Sequence, residues 1–319
     1  LSFEYLRACA LRALRGSPHS ADALVFYYRL EGELLRLQQE LDRGSYRPGG
    51  YRYFTVYEPK ERRIAVAPFR DRVVHHALVG MLEPIYERSF IAHSYATRKG
   101  KGTHAAVLQA QRYLRRYRHY LKTDIRSYFA SIDHDILLSL VARKVKDPRI
   151  LELTERIVRT GEERGLPIGN YSSQFFANVY LDPLDHELTD ALGCRGYIRY
   201  MDDLVVFDDS RDRLKSLLRV IERFVATRLS LELKPGASII NTKVHGLGFL
   251  GTRIFPSLIR IRRENLDRSL KHIRRVDGDL AAGLIDEEAH QRSVTSICAH
   301  LGFYNTHRLM QSVFHGRSS

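Results

Sequence analysis

Two adjacent aspartates stand between two short apolar stretches, and this arrangement limits how the chain can fold. Residues 197–200 and 204–207 each have the composition of a β-strand, and Asp202 and Asp203 lie between them. Neighbouring side chains in a strand point to opposite faces, so both carboxylates can approach one site only where the chain turns sharply. The pattern therefore predicts a strand, a tight turn and a second strand, with the aspartates at the tip.

A third aspartate, Asp124, closes another strand-like stretch at residues 120–124. Taken alone, a strand-end aspartate is more typical of a helix N-cap or a loop, and an Asp-Asp tip is more typical of a solvated turn. Together, the three suit Mg²⁺, which prefers hard oxygen ligands. Two such ions activate a 3′-hydroxyl and stabilise the leaving pyrophosphate in nucleotidyl transfer. The three carboxylates therefore predict that chemistry.

The surrounding patterns predict a mixed fold. Residues 249–254 are a further strand candidate, and apolar periodicity predicts helices near residues 136–144, 150–159 and 214–228. Strands interleaved with helices indicate an α+β or α/β core. Two apolar stripes near the C-terminus predict a pair of packed helices joined near residues 278–283. The stripes are Leu266, Leu270 and Ile273, and then Val294, Ile297, Leu301 and Tyr304.

The net charge points to a polyanionic partner. The chain has 51 Lys+Arg against 37 Asp+Glu, a formal charge of +14. The excess is concentrated in residues 98–122, where a helical stripe of Val107, Ala110, Leu114 and Tyr117 has a basic opposite face, and in residues 260–275. A solvated helix surface is the alternative interpretation of each cluster. The candidate phosphate contacts are Arg98, Lys101, Arg115, Arg262, Arg263, Lys271 and Arg274.

Composition excludes several other classes of protein. With 44% hydrophobic and 28% charged residues, the chain is not disordered or of low complexity. Its apolar runs fall short of the roughly 20 residues of a membrane span, so no membrane is expected. Three widely separated cysteines fit neither a disulfide framework nor a zinc site. We therefore expect a cytoplasmic protein.

Several sequence blocks resemble the motifs of reverse transcriptases, in that family's order. YMDD at residues 200–203 resembles the family's Y-x-D-D signature, and Asp124 lies in a block that resembles the motif carrying the first metal aspartate. Six ordered blocks are far more specific than one short motif. They are YEPKERRI (57–64), SYATRKGKGTH (94–104), KTDIRSYFASID (122–133), GLPIGNYSSQFFAN (165–178), YMDD (200–203) and GFLG (248–251).

This resemblance implies a right-hand polymerase, an α+β fold whose antiparallel palm sheet is backed by helices. It places the fingers and N-terminal helices in residues 1–117, the palm in 118–255 and a helical thumb in 256–319. Residues 135–175 would partly return to the fingers. Residues before about 45 carry an apolar periodicity at Leu30, Leu34, Leu37 and Leu41 but no motif, and they could pack on the fingers or contact a partner.

The resemblance also implies roles for single residues. Two Mg²⁺ ions, or Mn²⁺ in their place, would be held by Asp124, Asp202 and Asp203 and by the backbone carbonyl of Ile125. In the family, a lysine after the palm hairpin would protonate pyrophosphate. The matching position here is occupied by Gly236 or Ala237, so Lys234 or Lys243 would have to take this role. Lys60 and Arg62 would contact the triphosphate of the dNTP substrate, and Arg63 could exchange roles with Arg62. The ring of Phe129 would lie beneath the sugar. Ile168 and Gly169 would also contact the nucleotide.

One departure from the common pattern narrows the subfamily. Most reverse transcriptases carry Gln-Gly before Ser-Pro, whereas here the pairs are Ile168-Gly169 and Ser173-Gln174. This form resembles reverse transcriptases of diversity-generating retroelements, which copy a template-repeat RNA into cDNA with errors opposite template adenines. The resemblance then implies two kinds of partner: the template RNA with a cDNA or DNA primer, and an accessory variability protein that forms a small basic helical barrel.

Three alternatives remain open on the sequence alone. The first is a compact reverse transcriptase of another lineage, retron-like or defence-associated. The second is a polymerase fold that only holds RNA, which the intact Asp124, Asp202 and Asp203 disfavour. The third is a basic RNA-binding protein without this fold, which would not explain the ordered blocks.

Overall fold

The structure of the protein is a computed structural model that describes residues 1–16, 20–57 and 61–305. Helices dominate the N-terminal third and the C-terminus, and strands cluster in between. The α-helices are α1 (Phe3–Arg15), α2 (Ala21–Tyr28), α3 (Leu30–Asp42), α4 (Phe69–Glu87), α5 (Thr103–Arg116), α6 (Tyr128–Ser131), α7 (His134–Lys144), α8 (Pro148–Val158), α9 (Tyr171–His186), α10 (Arg211–Leu229), α11 (Arg263–Ala281) and α12 (Glu287–Gly302). The strands are β1 (Arg52–Val56), β2 (Arg62–Val66), β3 (His119–Thr123), β4 (Gly196–Tyr200), β5 (Asp203–Asp208), β6 (Ile239–Thr242), β7 (Leu247–Phe249), β8 (Thr252–Ile254) and β9 (Ile259–Ile261).

The central element is an antiparallel sheet in the order β4-β5-β3-β6. Its two faces cover different cores, because side chains alternate along each strand. Helices α4, α7, α9 and α10 contribute to one core, while α5 and the β7–β9 sheet contribute to the other. This arrangement confirms the predicted α+β class with an antiparallel sheet backed by helices. Leu121, Leu204 and Val206 face the first core, and Tyr120, Val205 and Phe207 face the second.

Most predicted elements are present with bounds shifted by a few residues. The three helices predicted near residues 136–144, 150–159 and 214–228 are α7, α8 and α10. The side chain of Asp133 caps α7, and that of Asp147 caps α8, where Pro148 occupies the first turn. The basic helix is α5, which ends at Arg116 and leaves Tyr117 as its C-cap.

One sequence prediction was wrong, and another was displaced by a few residues. Residues 249–254 are not one strand but the hairpin of β7 and β8, because Leu250 and Gly251 both have positive φ and reverse the chain. The joint between the C-terminal helices, predicted near 278–283, starts a few residues later, because α11 continues through Gly278 to Ala281. The break follows at Gly283, whose φ is +70°, and Asp286 then caps α12. Strand β9 pairs with β8 across the predicted palm–thumb boundary, so the helical part begins at Arg263.

The N-terminal helices pack on α4 rather than standing apart. The hydroxyl of Tyr5 donates a hydrogen bond to the carbonyl of Ala77 at 2.9 Å. A Cβ at Gly80 would lie 2.5 Å from that hydroxyl oxygen, so a larger residue there would displace the side chain of Tyr5. Leu34 and Leu37 of α3 are fully buried, which accounts for the apolar periodicity in this segment. Among the described helices, none is long and apolar enough to cross a bilayer.

Burial of His75 in α4 predicts acid lability. Burial, and then the nearby His76 and Arg72, lower the pKa of His75 from 6.5 to about 3. A histidine with a depressed folded-state pKa stabilises the fold above its unfolded pKa, and that stability is lost as pH falls below 6.5. We expect the free energy of unfolding to drop by about 2 kcal/mol between pH 6.5 and 5.0 from this group. Urea titrations of the His75→Leu variant should show a flatter pH profile, and an unchanged profile would contradict this assignment.

Candidate active site

Asp124 directly follows β3 and is fixed through its backbone. Its carbonyl accepts a hydrogen bond from the amide of Lys234 at 2.8 Å, and the amide of Arg126 donates to the carbonyl of Glu232 at 2.8 Å. These two bonds close an antiparallel bridge between Ile125 and Leu233. The segment after α10 therefore runs beside the end of β3 and brings Lys234 to Asp124.

Asp202 and Asp203 lie at the turn between β4 and β5, as predicted. Tyr200 pairs with Asp203, so only Met201 and Asp202 form the reversal, and Met201 has a φ of +53°. A positive φ at a non-glycine residue is strained and is common at functional turns. Because Thr123 pairs with Leu204, the turn lies beside the end of β3. The fold thus brings the three predicted carboxylates together.

The carboxylates interact strongly with one another. Burial, the charges of Asp124 and Asp203, and a hydrogen bond with Asp124 raise the pKa of Asp202 to about 7. Two lysines oppose the charge on either side. The Nζ of Lys122 lies 3.1 Å from Oδ1 of Asp203, and the Nζ of Lys234 lies 3.7 Å from Oδ2 of Asp124. The site therefore concentrates negative charge in a positively charged protein, with two ammonium groups as counter-charges.

The donor set suits a hard divalent cation, although the ligands are not gathered around one point. Among the described residues, no group of three or more His, Cys, Asp or Glu side chains is arranged to hold a metal ion. Asp203 is turned to Lys122, and Asp124 is shared between Asp202 and Lys234. A cation between these carboxylates would relieve the repulsion that raises the pKa of Asp202, so the residues present fit Mg²⁺.

A buried ion pair behind the turn was missed by sequence reasoning. Arg199 of β4 and Asp185 of α9 are both fully buried, and Nη2 of Arg199 lies 2.6 Å from Oδ2 of Asp185. The hydroxyl of Tyr197 also donates to Asp185, and Arg199 donates to the side chain of Asn178 and to the carbonyl of Met201. The network ties the strained turn to α9. Its one sequence signal is an arginine inside an otherwise apolar strand.

The two aromatic residues that follow Asp124, Tyr128 and Phe129, differ in their burial. Tyr128 is buried, and its hydroxyl donates to the carbonyl of Ala177 at 2.5 Å. Phe129 is only partly buried and contacts Tyr128 edge-on. Phe129 is therefore the ring of the pair that is left partly accessible, four residues beyond the bridge at Ile125.

Residues 168–170 pack along β2. The amide of Ala65 donates to the carbonyl of Ile168 at 2.8 Å, and the side chain of the buried Asn170 donates to the carbonyl of Ala65. Gly169 has a φ of +115°, and a Cβ there would lie 2.8 Å from Cγ2 of Ile64. Glycine is thus required for this close approach. The segment joins the hairpin of β1 and β2 to the start of α9.

The predicted triphosphate contacts are placed differently from one another. Arg63 stacks its guanidinium 3.8 Å above the ring of Tyr53 and lies 3.4 Å from Glu162. Arg62 is exposed and shares a strand face with Ile64, the residue that contacts Gly169. This geometry favours Arg62 over Arg63 for a nucleotide contact. Lys60 lies outside the described residues.

One of the predicted phosphate contacts has a buried side chain, and the others are at least partly exposed. Arg98 is buried, with a bidentate ion pair to Glu87 and hydrogen bonds to the carbonyls of Ile91 and Ser94. Its position serves the fold and does not support a phosphate contact. Lys101 is partly exposed near Tyr95, and its Nζ donates to the carbonyl of Ala92. The remaining candidates are exposed at their positions, namely Arg115 on α5 and Arg262, Arg263, Lys271 and Arg274 on or next to α11.

The two candidate lysines lie at opposite ends of β3. Lys234 approaches Asp124 after the strand, whereas the amide of Lys243 donates to the carbonyl of Arg118 before it. Six residues of extended chain separate those ends by about 20 Å. The geometry therefore favours Lys234 as the lysine of the site.

The sheet, the carboxylates at the strand end and turn, and the flanking helices define a right-hand polymerase fold. Comparison with solved structures agrees at the level of the fold. Telomerase from Candida tropicalis superimposes with a TM-score of 0.51 at 10% identity, covering 67% of this chain and 49% of that one. Telomerase from Candida albicans, solved with a fragment of telomeric RNA, gives 0.50 at 10% identity, covering 68% and 47%.

Residues 57–254 match the family model described as reverse transcriptase (RNA-dependent DNA polymerase), and the chain belongs to this family. It is 30% identical over 178 residues to protein YkfC of Escherichia coli, covering 50% of this chain and 46% of that protein. It is 28% identical over 167 residues to the group II intron-encoded protein LtrA of Lactococcus lactis, covering 49% and 28%. The chain thus spans less than half the length of these relatives.

Proposed function

We propose that this chain is an RNA-directed DNA polymerase that copies an RNA template into cDNA. The observation that carries the proposal is the meeting of Asp124, Asp202 and Asp203 at one end of the palm sheet, in a chain of the reverse transcriptase family. Its substrates would be dNTPs, the RNA template and a DNA or cDNA primer. The exposed bases of α11 would follow the phosphates of the duplex.

Asp124, Asp202 and Asp203, with the carbonyl of Ile125, would hold two Mg²⁺ ions, and Mn²⁺ could take their place. When bound, the metal supplies charge stabilisation for the attacking 3′ oxygen and the leaving pyrophosphate. Lys122 and Lys234 balance the carboxylates in the structure described here. Lys234 would give a proton from its Nζ to the oxygen that leaves with pyrophosphate, as the bond between the α- and β-phosphates breaks and the 3′ oxygen bonds to the α-phosphorus.

Binding of the dNTP would use both sides of the fingers–palm junction. Arg62, with Lys60, would contact the triphosphate, since a guanidinium offers bidentate hydrogen bonds to phosphate. Phe129 would lie beneath the sugar, where its ring would collide with a 2′-hydroxyl and exclude ribonucleotides. Gly169 allows the segment carrying Ile168 to approach β2 closely, next to Arg62.

We infer that the chain is of the diversity-generating type, with errors opposite template adenines and an accessory variability protein as partner. The support is Ile168, where many relatives in the family carry a glutamine that can hydrogen-bond the substrate. An isoleucine offers only shape, and losing a polar clamp weakens the discrimination between correct and incorrect pairs. A compact enzyme of retron-like or defence-associated lineage is the alternative. We expect the protein to act in the cytoplasm.

The Ile168→Gln variant tests this finer proposal. We expect it to lower misincorporation opposite template adenines by about tenfold, because the restored amide adds a contact worth roughly 1–2 kcal/mol that only the correct pair can use. Sequencing of cDNA made on a defined RNA template measures the error rate at each base. Ile168→Val keeps the apolar shape and serves as the control. Equal error spectra for all three proteins would contradict the proposed role, and uniform fidelity in the wild type would favour the other lineages.

Copying itself is tested by the choice of template and nucleotide. The wild type should extend a DNA primer on RNA with dNTPs and should reject rNTPs at the same concentration. Extension on DNA templates alone would contradict an RNA-directed enzyme. If the wild type does not extend the primer, the assay should be repeated with the native RNA and the accessory protein. No extension under those conditions either would favour a polymerase fold that only holds RNA.

A further inference from the structure

A basic groove lies at the end of the palm sheet that is remote from the carboxylates. It encloses about 350 Å³ beneath the turn that joins β8 to β9. Seven residues line it, and they are Lys243, Val244, Phe255, Pro256, Ser257, Leu258 and Arg260. Since Lys243 is bonded to Arg118 at the start of β3, the groove lies about 20 Å from Asp124 along the strand.

Arginines from three parts of the chain surround this groove. The Nε of Arg115 on α5 donates to the carbonyl of Pro256 at 2.7 Å, and Arg118 is bonded through its carbonyl to Lys243 at 3.0 Å. Arg253 donates to the carbonyl of His245, and Arg260 lies 5.7 Å from the ring of Phe255. Arg260 lines the groove itself, the other three arginines lie next to it, and all four are exposed.

The floor of the groove is apolar and accessible. Val244 is 77% exposed, and the ring of Phe255 is only partly buried against Gly246. Among the described residues that line the groove, none is acidic. A rim of cations over an accessible aromatic and aliphatic floor suits a ligand that is both polyanionic and flat-faced. Single-stranded nucleic acid has this chemistry, because its phosphates meet the cations while unpaired bases stack on the ring. A duplex hides its base faces and would leave the floor without a partner.

We propose that this groove binds a single-stranded stretch of the template RNA outside the primer–template duplex. The identification of the strand as template RNA rests on the proposed function, whereas the groove's affinity for single-stranded nucleic acid does not. The groove would hold the flanking RNA while nucleotides are added to the primer terminus at the end of the sheet that carries the carboxylates. An acidic surface of a protein partner is the competing occupant that the experiment must exclude.

The test compares two RNA–DNA duplexes of equal length, one blunt and one with single-stranded RNA extensions, by fluorescence anisotropy on the full chain. We expect the wild type to bind the extended duplex more tightly. The variant Arg118→Gln/Arg253→Gln/Arg260→Gln should lose about tenfold or more in affinity for the extended duplex and keep its affinity for the blunt one. Its slope of log affinity against log salt should fall by about 2, since each single-strand phosphate contact contributes about 0.7.

A matched control removes three exposed arginines of α10, in the variant Arg219→Gln/Arg223→Gln/Arg228→Gln. This control loses the same charge from another face and should bind the extended duplex as the wild type does. Equal losses in both variants, an equal loss on the blunt duplex, or no loss at all would overturn the proposal, and the last result would favour a protein partner. Crosslinks from 4-thiouridine in the extension should fall on residues 243–260 of the wild type, which keeps the test valid if a variant fails to fold.

Binding is measured without dNTPs or divalent metal, so it is independent of catalysis. Groove-dependent binding by a chain that never extends a primer would refute the proposed function and leave the groove as a site for single-stranded nucleic acid. A chain that extends primers but binds extensions without the groove would refute the groove alone. DNA extensions on the same duplex show whether the site distinguishes the two nucleic acids.

Discussion

Replacing Asp124 with asparagine is expected to lower the rate of primer extension by about 10³-fold or more, while the protein remains folded. Asparagine preserves the size of the side chain and the backbone bond from the amide of Lys234 to residue 124. It removes the charge that pairs with Lys234 and interacts with Asp202. The effect on rate should therefore come from metal and substrate binding rather than from loss of structure.

The matched control for this experiment is Asp135→Asn. That carboxylate is 81% exposed on α7 and pairs with Arg159 away from the site. The same chemical change there should leave extension within about twofold of the wild type, because exposed ion pairs contribute little. An Asp124→Asn protein that keeps more than a tenth of wild-type activity would show that the carboxylate has no essential role.

Replacing Asp185 with asparagine is expected to destabilise the protein by about 3–5 kcal/mol. The change leaves the fully buried guanidinium of Arg199 without its anion and weakens the bond from the hydroxyl of Tyr197. Because Arg199 also donates to the carbonyl of Met201, the strained turn should loosen and extension should fall as well. Urea unfolding measures the first effect, and single-turnover extension measures the second.

Replacing both partners separates the ion pair from the packing around it. The double variant Asp185→Leu/Arg199→Met removes both buried charges and should lose less stability than the two single changes added together. Asp135→Asn again serves as the control, with an expected change within about 0.5 kcal/mol. If the free energy of unfolding of the Asp185→Asn protein lies within about 1 kcal/mol of the wild-type value, the ion pair does not have the structural importance that we assign to it.

The sequence predicted the parts of the site whose signals are local. Asp202 and Asp203 between two apolar strands required a tight turn, and Asp124 at a strand end had an equally short-range signature. The short apolar stretches at residues 197–200 and 204–207 likewise predicted β4 and β5. Each of these signals depends on neighbours within a few positions, so no knowledge of long-range contacts was needed.

The features that the sequence could not predict depend on long-range contacts. Arg98 was predicted to contact phosphate, and only the packing of its segment on α4 shows its side chain buried and paired with Glu87. The partnership of Arg199 with Asp185 depends on how β4 lies on α9. Lys122 was only the last base of the cluster at residues 98–122, yet the sheet register brings it to Asp203. Charge and periodicity do not encode such pairings.

The most direct test of the central claim is Mg²⁺-dependent addition of nucleotides to a DNA primer on a defined RNA template. The wild type should extend the primer only when the divalent cation is present, and the Asp202→Ala/Asp203→Ala variant should not extend it at any Mg²⁺ concentration. Asp135→Asn should behave as the wild type. Extension by the double variant at the wild-type rate would show that the carboxylates at the β4–β5 turn are not the catalytic centre of this protein.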